Sequence, residues 1–208
     1  MKHRKVMVIM VVSIFAITFS QSYLWSGEPG ALVKKVILNE SSLNEIEDIH
    51  ERRTKQWDAI SQSIDFDIIS QRAMGKYWDK CLYDERSEFV ELFTNHLKSS
   101  YVRKVNPLFG KKVISLNEKE FNNSARVQTT LLVKSGREIS ADFYLLHGNG
   151  EWKIYDLVVE GVSMVNNYRS QITSTLTRTS YEDLLNTMKQ KQGTTHRLLV
   201  SDLSDKIY

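Results

Sequence analysis

Two aspartates in otherwise apolar segments are the candidates for acid–base chemistry in this chain. Asp142 and Asp156 both stand among aliphatic and aromatic residues. Burial raises the pKa of a carboxyl group, and a carboxylate with a raised pKa can serve as a general base. No second catalytic group is spaced to cooperate with either aspartate. An enzyme, such as a small-molecule isomerase built as a cone of sheet and helices, is therefore a hypothesis that depends on one carboxylate alone.

Nucleophilic and metal chemistry have still less support. His50, His96, His147 and His196 are scattered without an HxxxH spacing, and the single cysteine, Cys81, has no partner for a disulfide within the chain. The chain contains no GxSxG motif and no phosphate-binding glycine loop. The sequence therefore predicts no catalytic residue, no metal site, no cofactor and no enzyme activity.

The first residues have the pattern of an export signal. Lys2, Arg4 and Lys5 precede an apolar run over residues 6–19, and Ser20-Gln21-Ser22 supplies small residues for signal peptidase. The apolar run is shorter than the roughly 20 residues that span a bilayer. We therefore predict a signal peptide over residues 1–22 that is cleaved on export. Cleavage after Ser26 or Gly27 is the second choice, and an uncleaved membrane anchor is the alternative.

Removal of this segment changes the charge balance. The formal net charge of +3 comes from 28 basic and 25 acidic residues, and three of the basic residues belong to the predicted signal. The exported chain then carries equal numbers of both signs. A neutral, mixed surface gives no electrostatic argument for a nucleic-acid partner.

The first half of the remaining chain has a helical pattern, with apolar residues at steps of three and four. Helices are predicted from Leu32 to Ile49, around Trp57 and Ile60, over 67–77 and over 84–106. Ser42 and Glu45 have the spacing of a capping box, and Pro107 and Gly110 are expected to end the longest helix.

After Gly110 the apolar period changes to two. Strands are predicted around 113–116 and over 127–133, 139–146 and 152–159, with glycine-bearing turns at 135–137 and 148–150. Such turns between alternating segments are typical of hairpins. An antiparallel meander of three strands, with the 113–116 segment as a fourth, is predicted.

Apolar residues occur on both faces of this predicted sheet. Leu131 is followed by Leu132, Leu145 by Leu146, and residues 157–159 are all aliphatic. An antiparallel sheet with one wet face normally alternates cleanly. Two interpretations fit: helices cover both faces, or one face lines a cavity for an apolar ligand.

The helical period returns after Glu160. One helix is predicted through Val162, Val165 and Leu176, and another after Ser180 with Asp183 at the capping-box position. Helices, a meander and further helices predict an α+β fold in which the sheet packs against several helices. We expect one domain over residues 28–192 and an irregular tail over 193–208.

Three segments resemble those of a known family, and one of them is the helical stretch from Phe89 through Phe93 and Leu97 to Tyr101. The segment from Asp65 to Trp78 (DFDIISQRAMGKYW) and the segment from Trp152 to Gln171 (WKIYDLVVEGVSMVNNYRSQ) are similar to signature segments of the toluene-tolerance, or MlaC-type, family of periplasmic phospholipid-binding proteins. The last of these matches is long and specific. The resemblance implies a sheet of the NTF2 or cystatin kind with a helical extension, enclosing an apolar lipid pocket.

The resemblance also implies a function and a location. Proteins of this family are non-catalytic periplasmic carriers that hold a phospholipid with its tails inside and its head group outside. Their partners are an inner-membrane ABC transporter complex with its substrate-binding component and an outer-membrane lipoprotein complex, and their work maintains outer-membrane lipid asymmetry and solvent tolerance. Bound phospholipid is then cargo and not a cofactor. A non-catalytic adaptor of the same complex, whose pocket is filled by its own side chains, is the alternative.

The signature segments supply candidate pocket residues. We expect nine apolar or aromatic side chains to border the lipid: Phe66, Ile69, Ala73, Met74, Tyr155, Val158, Val162, Val165 and Tyr168. Ordinary core packing is the alternative role for each of them. Trp78 and Trp152 are expected to be structural, Gly161 to form a turn, and Arg72, Glu160 and Arg169 to form pairs that fix the helices.

Overall fold

The computed structural model describes residues 28–38, 46–104, 112–133 and 135–193. In chain order, the helices and strands of these residues are α1 (Pro29–Leu38), α2 (Ile49–Ser61), α3 (Phe66–Met74), a 3₁₀ helix (Gly75–Lys80), α4 (Tyr83–Lys104), β1 (Lys112–Phe121), β2 (Ser124–Leu132), β3 (Glu138–Gly148), β4 (Glu151–Val159), β5 (Val162–Ser163), α5 (Met164–Leu176) and α6 (Tyr181–Gly193).

The five strands form one antiparallel sheet in the order β1-β2-β3-β4-β5. The turns between neighbouring strands use residues with positive φ, among them Asn122, Asn149 and Gly150. Asparagine and glycine reach this backbone region at the lowest cost, which is why short hairpins favour them. The predicted α+β fold with an antiparallel meander is confirmed.

The two faces of the sheet differ in what covers them. The strand residues in the hydrophobic clusters of the described chain, such as Val127, Leu131 and Leu145, all belong to one face, against which α1 and α2 pack. Their neighbours Leu132 and Leu146 point to the other face and are half-buried. Of the two interpretations, the structure favours the second, because the helix-covered face also lines a cavity.

Side-chain caps set where several helices begin. Asp48 accepts a hydrogen bond from the amide of Glu51 at the start of α2, and Ser163 accepts one from Asn166 at the start of α5. At the start of α6, the amide of Ser180 donates to Asp183, whose own amide donates to the Ser180 hydroxyl. This capping box is as predicted.

The last hairpin corrects the predicted start of α5. Glu160 and Gly161 have φ values of 48° and 81°, so the chain turns back after β4 and pairs Val162 with Val159. Val162 is therefore a strand residue and not part of the helical face that carries Val165. The local cause is Ser163, whose hydroxyl caps the helix one residue later.

Several predictions concern residues outside the described ranges. They are the signal peptide over 1–22, the Ser42–Glu45 capping box, the helix-ending Pro107 and Gly110, and the tail beyond Gly193.

Candidate functional site: an apolar cavity

A cavity of about 140 Å³ lies between the covered face of the sheet and the helices. Every helix from α1 to α5 contributes to its wall, together with β3 and β4. The lining residues are Val36, Trp57, Ile60, Ile64, Phe66, Ile69, Leu97, Ser100, Phe143, Ile154, Asp156, Leu157, Met164, Val165 and Tyr168. Almost all of these side chains are aliphatic or aromatic, so the cavity suits a hydrocarbon ligand.

A short bridge between the α2–α3 loop and β4 places one wall. The amide of Ile154 donates to the carbonyl of Ser63, and the amide of Asp65 donates to the carbonyl of Ile154. The side chain of Asp65 then caps α3 by accepting from the amide of Ile68. This bridge holds Ile64 and Phe66 at the cavity.

Asp156 uses its carboxylate to hold the beginning of α5. It accepts hydrogen bonds from the Ser163 hydroxyl at 2.6 Å, from the amide of Leu157 at 2.8 Å and from the amide of Val165 at 3.1 Å. A negative charge beside a helix N-terminus is favourable. Asp156 lines the cavity, but its oxygens already accept hydrogen bonds from backbone and side-chain donors. Its role in the structure is therefore to cap the start of α5.

The other candidate base lies outside the cavity. Asp142 is on the opposite face of the sheet, where its carboxylate pairs with the guanidinium of Arg126 at 2.6 Å. The same guanidinium stacks over the ring of Tyr144. Both carboxylates are thus engaged by other groups, Asp156 by the start of α5 and Asp142 by Arg126.

Tyr168 fills the space between α5 and α4. Its ring meets Phe93 edge-on, with 5.1 Å between ring centroids, and His96 at 5.8 Å. Burial raises the pKa of the Tyr168 hydroxyl, and the neighbouring Ser100 hydroxyl opposes that rise. Although protein surrounds it, Tyr168 keeps part of its surface open to the cavity.

The structure places four of the nine predicted lipid contacts at the cavity wall: Phe66, Ile69, Val165 and Tyr168. The other five lie elsewhere. Ala73 and Met74 are buried in a second cluster with Phe89 and Phe93, and Val162 is 49% exposed.

Tyr155 and Val158 are the remaining two. Val158 pairs with Asp142 on the opposite face of the sheet. A bulge at Tyr155 breaks the alternation of β4, and the ring of Tyr155 lies under the guanidinium of Arg72, 4.1 Å away. Only some side chains of the signature segment from Trp152 to Gln171 therefore face the cavity.

Sequence reasoning missed most of the wall contributed by α1, α2 and α4. For Val36, Trp57, Ile60 and Leu97, which line the cavity, the sequence predicts only that they are apolar positions of helices. The signal for these residues is their helical spacing. Spacing predicts which face of a helix is apolar, but it does not predict whether that face contacts the protein core or a cavity.

The predicted structural residues behave as follows. Arg169 donates from Nε to the carbonyl of Arg72, and Glu160 accepts from the amide of Ser140. Trp152 is buried against the sheet core. Gly161 forms the β4–β5 turn.

The described residues form neither a metal site nor a membrane-spanning helix. No group of three or more His, Cys, Asp or Glu side chains there has the arrangement to hold a metal ion. No helix in the same part of the chain has the length and apolar character to cross a membrane.

Known proteins resemble this chain in sequence and in fold. The intermembrane phospholipid transport system binding protein MlaC of Haemophilus influenzae is 24% identical over 132 residues, which cover 61% of this chain and 62% of that protein. The match thus spans less than two thirds of the relative. A phospholipid-binding protein from Ralstonia solanacearum, solved in complex with a phospholipid, has the same fold, with a TM-score of 0.67 and 17% identity over 80% of this chain and 98% of the other. The sequence model of the MlaC protein family matches residues 34–190, most of the chain, and this chain therefore belongs to the MlaC family.

Proposed function

We propose that this chain is a periplasmic phospholipid carrier that binds the acyl tails of one lipid in the cavity and leaves the head group in water. The observation that carries the proposal is the cavity wall, where 12 of the 15 lining residues are aliphatic or aromatic without a hydroxyl group. The binding domain is residues 28–192, preceded by a signal peptide over 1–22 and followed by the tail over 193–208. The lipid is cargo, and no cofactor is required.

The need for such a carrier follows from the hydrophobic effect. Two acyl chains have roughly 30 methylene groups, and each costs about 0.8 kcal/mol to expose to water, so free diffusion of a phospholipid would cost on the order of 25 kcal/mol. Transfer of the tails from a bilayer into an apolar cavity has a free energy close to zero by comparison, because both environments exclude water. We propose that the protein exchanges lipid with two partners. One is an inner-membrane ABC transporter complex with its substrate-binding component, and the other is an outer-membrane lipoprotein complex.

The size of the cavity adds a requirement. A protein cavity of about 150 Å³ with an apolar lining holds one benzene molecule. The volume of about 140 Å³ therefore takes about six carbons, far fewer than two acyl chains. The walls have to separate when lipid enters.

We propose Phe66, Ile69, Val165 and Tyr168 as lipid contacts, because they line the cavity. The proposal does not extend to Ala73 and Met74, whose side chains are already enclosed by the α4 side chains of the second cluster.

An adaptor without cargo is the second candidate, and the small cavity favours it. Catalysis has less support. Asp156 is committed to the cap of α5, and Asp142 is paired with Arg126 on the opposite face.

Native mass spectrometry tests the carrier against the adaptor. The protein is purified from periplasm without detergent, weighed intact and extracted with organic solvent. The proposal predicts a one-to-one adduct with the mass of a phospholipid. A bare mass that stays unchanged after incubation with phospholipid vesicles would contradict the carrier and support the adaptor.

A further inference from the structure

Two hydroxyl groups interrupt the apolar wall of the cavity. Ser100 on α4 and Tyr168 on α5 are the hydroxyl-bearing side chains among the lining residues. The charged side chain among the lining residues is Asp156, and it already accepts three hydrogen bonds. Ser100 and Tyr168 therefore carry the hydroxyl groups of the wall that a ligand can use for hydrogen bonding.

These two hydroxyls are neighbours across the α4–α5 contact. The Ser100 hydroxyl lies close enough to that of Tyr168 to lower its pKa against the rise that burial causes. Yet the Ser100 oxygen is enclosed and, within the described part of the chain, completes no hydrogen bond of good geometry. The pair is thus incompletely satisfied at the cavity wall.

The number of protons in the pair decides what ligand group would complete it. Each hydroxyl carries one proton and can also accept. Whichever hydroxyl donates to the other, one proton of the pair is left over, and the group that receives it has to be an acceptor. Because the Ser100 oxygen is enclosed, Tyr168 is the hydroxyl that can reach a ligand in the cavity. An apolar site that contains a few placed polar groups uses them to fix the orientation of its ligand.

We propose that the Tyr168 hydroxyl, supported by Ser100, donates a hydrogen bond to an acyl ester carbonyl of the bound lipid. This proposal rests on the proposed carrier function and assigns Tyr168 as the residue that positions the cargo. Acyl tails carry no acceptor, and a charged phosphate is too costly to bury without a paired charge. The ester carbonyl, located where the tails begin, is the acceptor that can enter an apolar cavity. Tyr168 then sets how far the tails are inserted.

A competition between two lipids tests this assignment. The full-length chain is expressed and exported, and the purified protein is incubated with vesicles that contain equal amounts of ester-linked dioleoyl phosphatidylethanolamine and its ether-linked analogue, which lacks both carbonyls. Native mass spectrometry gives the ratio of the two adducts. We expect the wild-type protein to prefer the ester lipid by about 3- to 10-fold, the effect of one neutral hydrogen bond.

Three variants complete the test. Tyr168→Phe and Ser100→Ala remove one hydroxyl each, and both are expected to bring the ratio towards one. Tyr144→Phe is the matched control, because its ring lies on the opposite face of the sheet beside Arg126 and its ratio should stay at the wild-type value.

Each outcome separates this inference from the proposed function. Equal binding of both lipids by the wild-type protein, or an ester preference that persists in Tyr168→Phe, would overturn the hydrogen bond and leave the carrier intact; a water molecule would then satisfy the pair. Binding of neither lipid would overturn the carrier and this inference together. Circular dichroism checks that each variant is folded.

Discussion

Arg169 on α5 donates a hydrogen bond from Nε to the main-chain carbonyl of Arg72 on α3, over 2.6 Å. Arg72 is near the C-terminal end of α3, where carbonyls lack partners within the helix and the helix dipole favours a positive charge. The guanidinium of Arg72 in turn stacks on Tyr155 of β4. One contact thus joins the two signature segments and fixes α3 against α5, the two helices that supply Phe66, Ile69, Val165 and Tyr168 to the cavity.

Replacement of Arg169 should loosen this junction. We expect Arg169→Ala to lower the free energy of unfolding by about 1–2 kcal/mol, because a carbonyl at a helix end loses a donor with positive charge. Arg178→Ala is the matched control, since the side chain of Arg178 donates to Ser174 one turn earlier in the chain and, among the described residues, hydrogen-bonds to no second helix. Urea unfolding measures both. Equal losses in the two variants would show that the α3–α5 contact has no special role.

Gly75 has a backbone conformation in which a residue with a side chain would be strained. Its φ is 55°, and a Cβ atom placed there would lie 3.4 Å from Nε of Arg169. We expect Gly75→Ala to destabilise the protein by about 1–2 kcal/mol, since a left-handed residue with a side chain is strained. Gly148→Ala, at a position with open space and no positive φ, should change stability by less than about 0.5 kcal/mol. A Gly75→Ala variant as stable as wild type in urea would show that the chain relaxes there freely.

Much of this architecture could be predicted because it depends on local signals. The capping box at Ser180, the turn at Gly150 and the period change after Gly110 each involve residues close together in sequence. Local rules also explain why the start of α5 was misplaced, since Val162 fits a helical face by spacing. The Glu160–Gly161 turn overrides that spacing, and the strand it creates leaves Val162 exposed.

The cavity wall could be predicted only in part, because it is assembled over long distances in sequence. Val36, Trp57 and Leu97 meet Phe143 through packing of α1, α2 and α4 on the sheet, and periodicity does not say which helix covers which strand. The bulge at Tyr155 is a second reason. One extra residue turns part of the signature away from the cavity, and no spacing rule locates that residue.

The capping box of α6 gives the protein a pH-dependent contribution to stability. Hydrogen bonds from the hydroxyl and amide of Ser180 lower the pKa of Asp183 below its usual value. A lowered folded-state pKa means that the stabilisation is present above the unfolded-state pKa of about 3.9 and is lost as the pH falls through the folded-state value. We expect wild type to melt above Asp183→Asn at pH 7 and the gap to close as the pH falls below about 4. A difference in melting temperature that stays constant with pH would show that the stabilisation does not depend on the charge of the Asp183 carboxylate.

A charge placed at the cavity wall should remove bound lipid. Ile69 is half-buried on α3 and lines the cavity, so a carboxylate there would face the acyl tails without a paired cation. Burying that charge costs several kcal/mol unless the group takes up a proton. Under the carrier proposal, Ile69→Glu therefore purifies from periplasm with much less phospholipid than wild type, as measured by native mass spectrometry and organic extraction.

The control for that variant is the same charge on a neighbouring signature residue that the structure places outside the cavity. Val162 is 49% exposed on β5, so Val162→Glu projects its carboxylate into water and should keep lipid at the wild-type level. The sequence alone assigned both positions to the pocket, and the pair of variants therefore measures what the structure adds. Loss of lipid from Val162→Glu but not from Ile69→Glu, with both proteins folded, would place the tails on the β5 side and move the site away from the cavity described above.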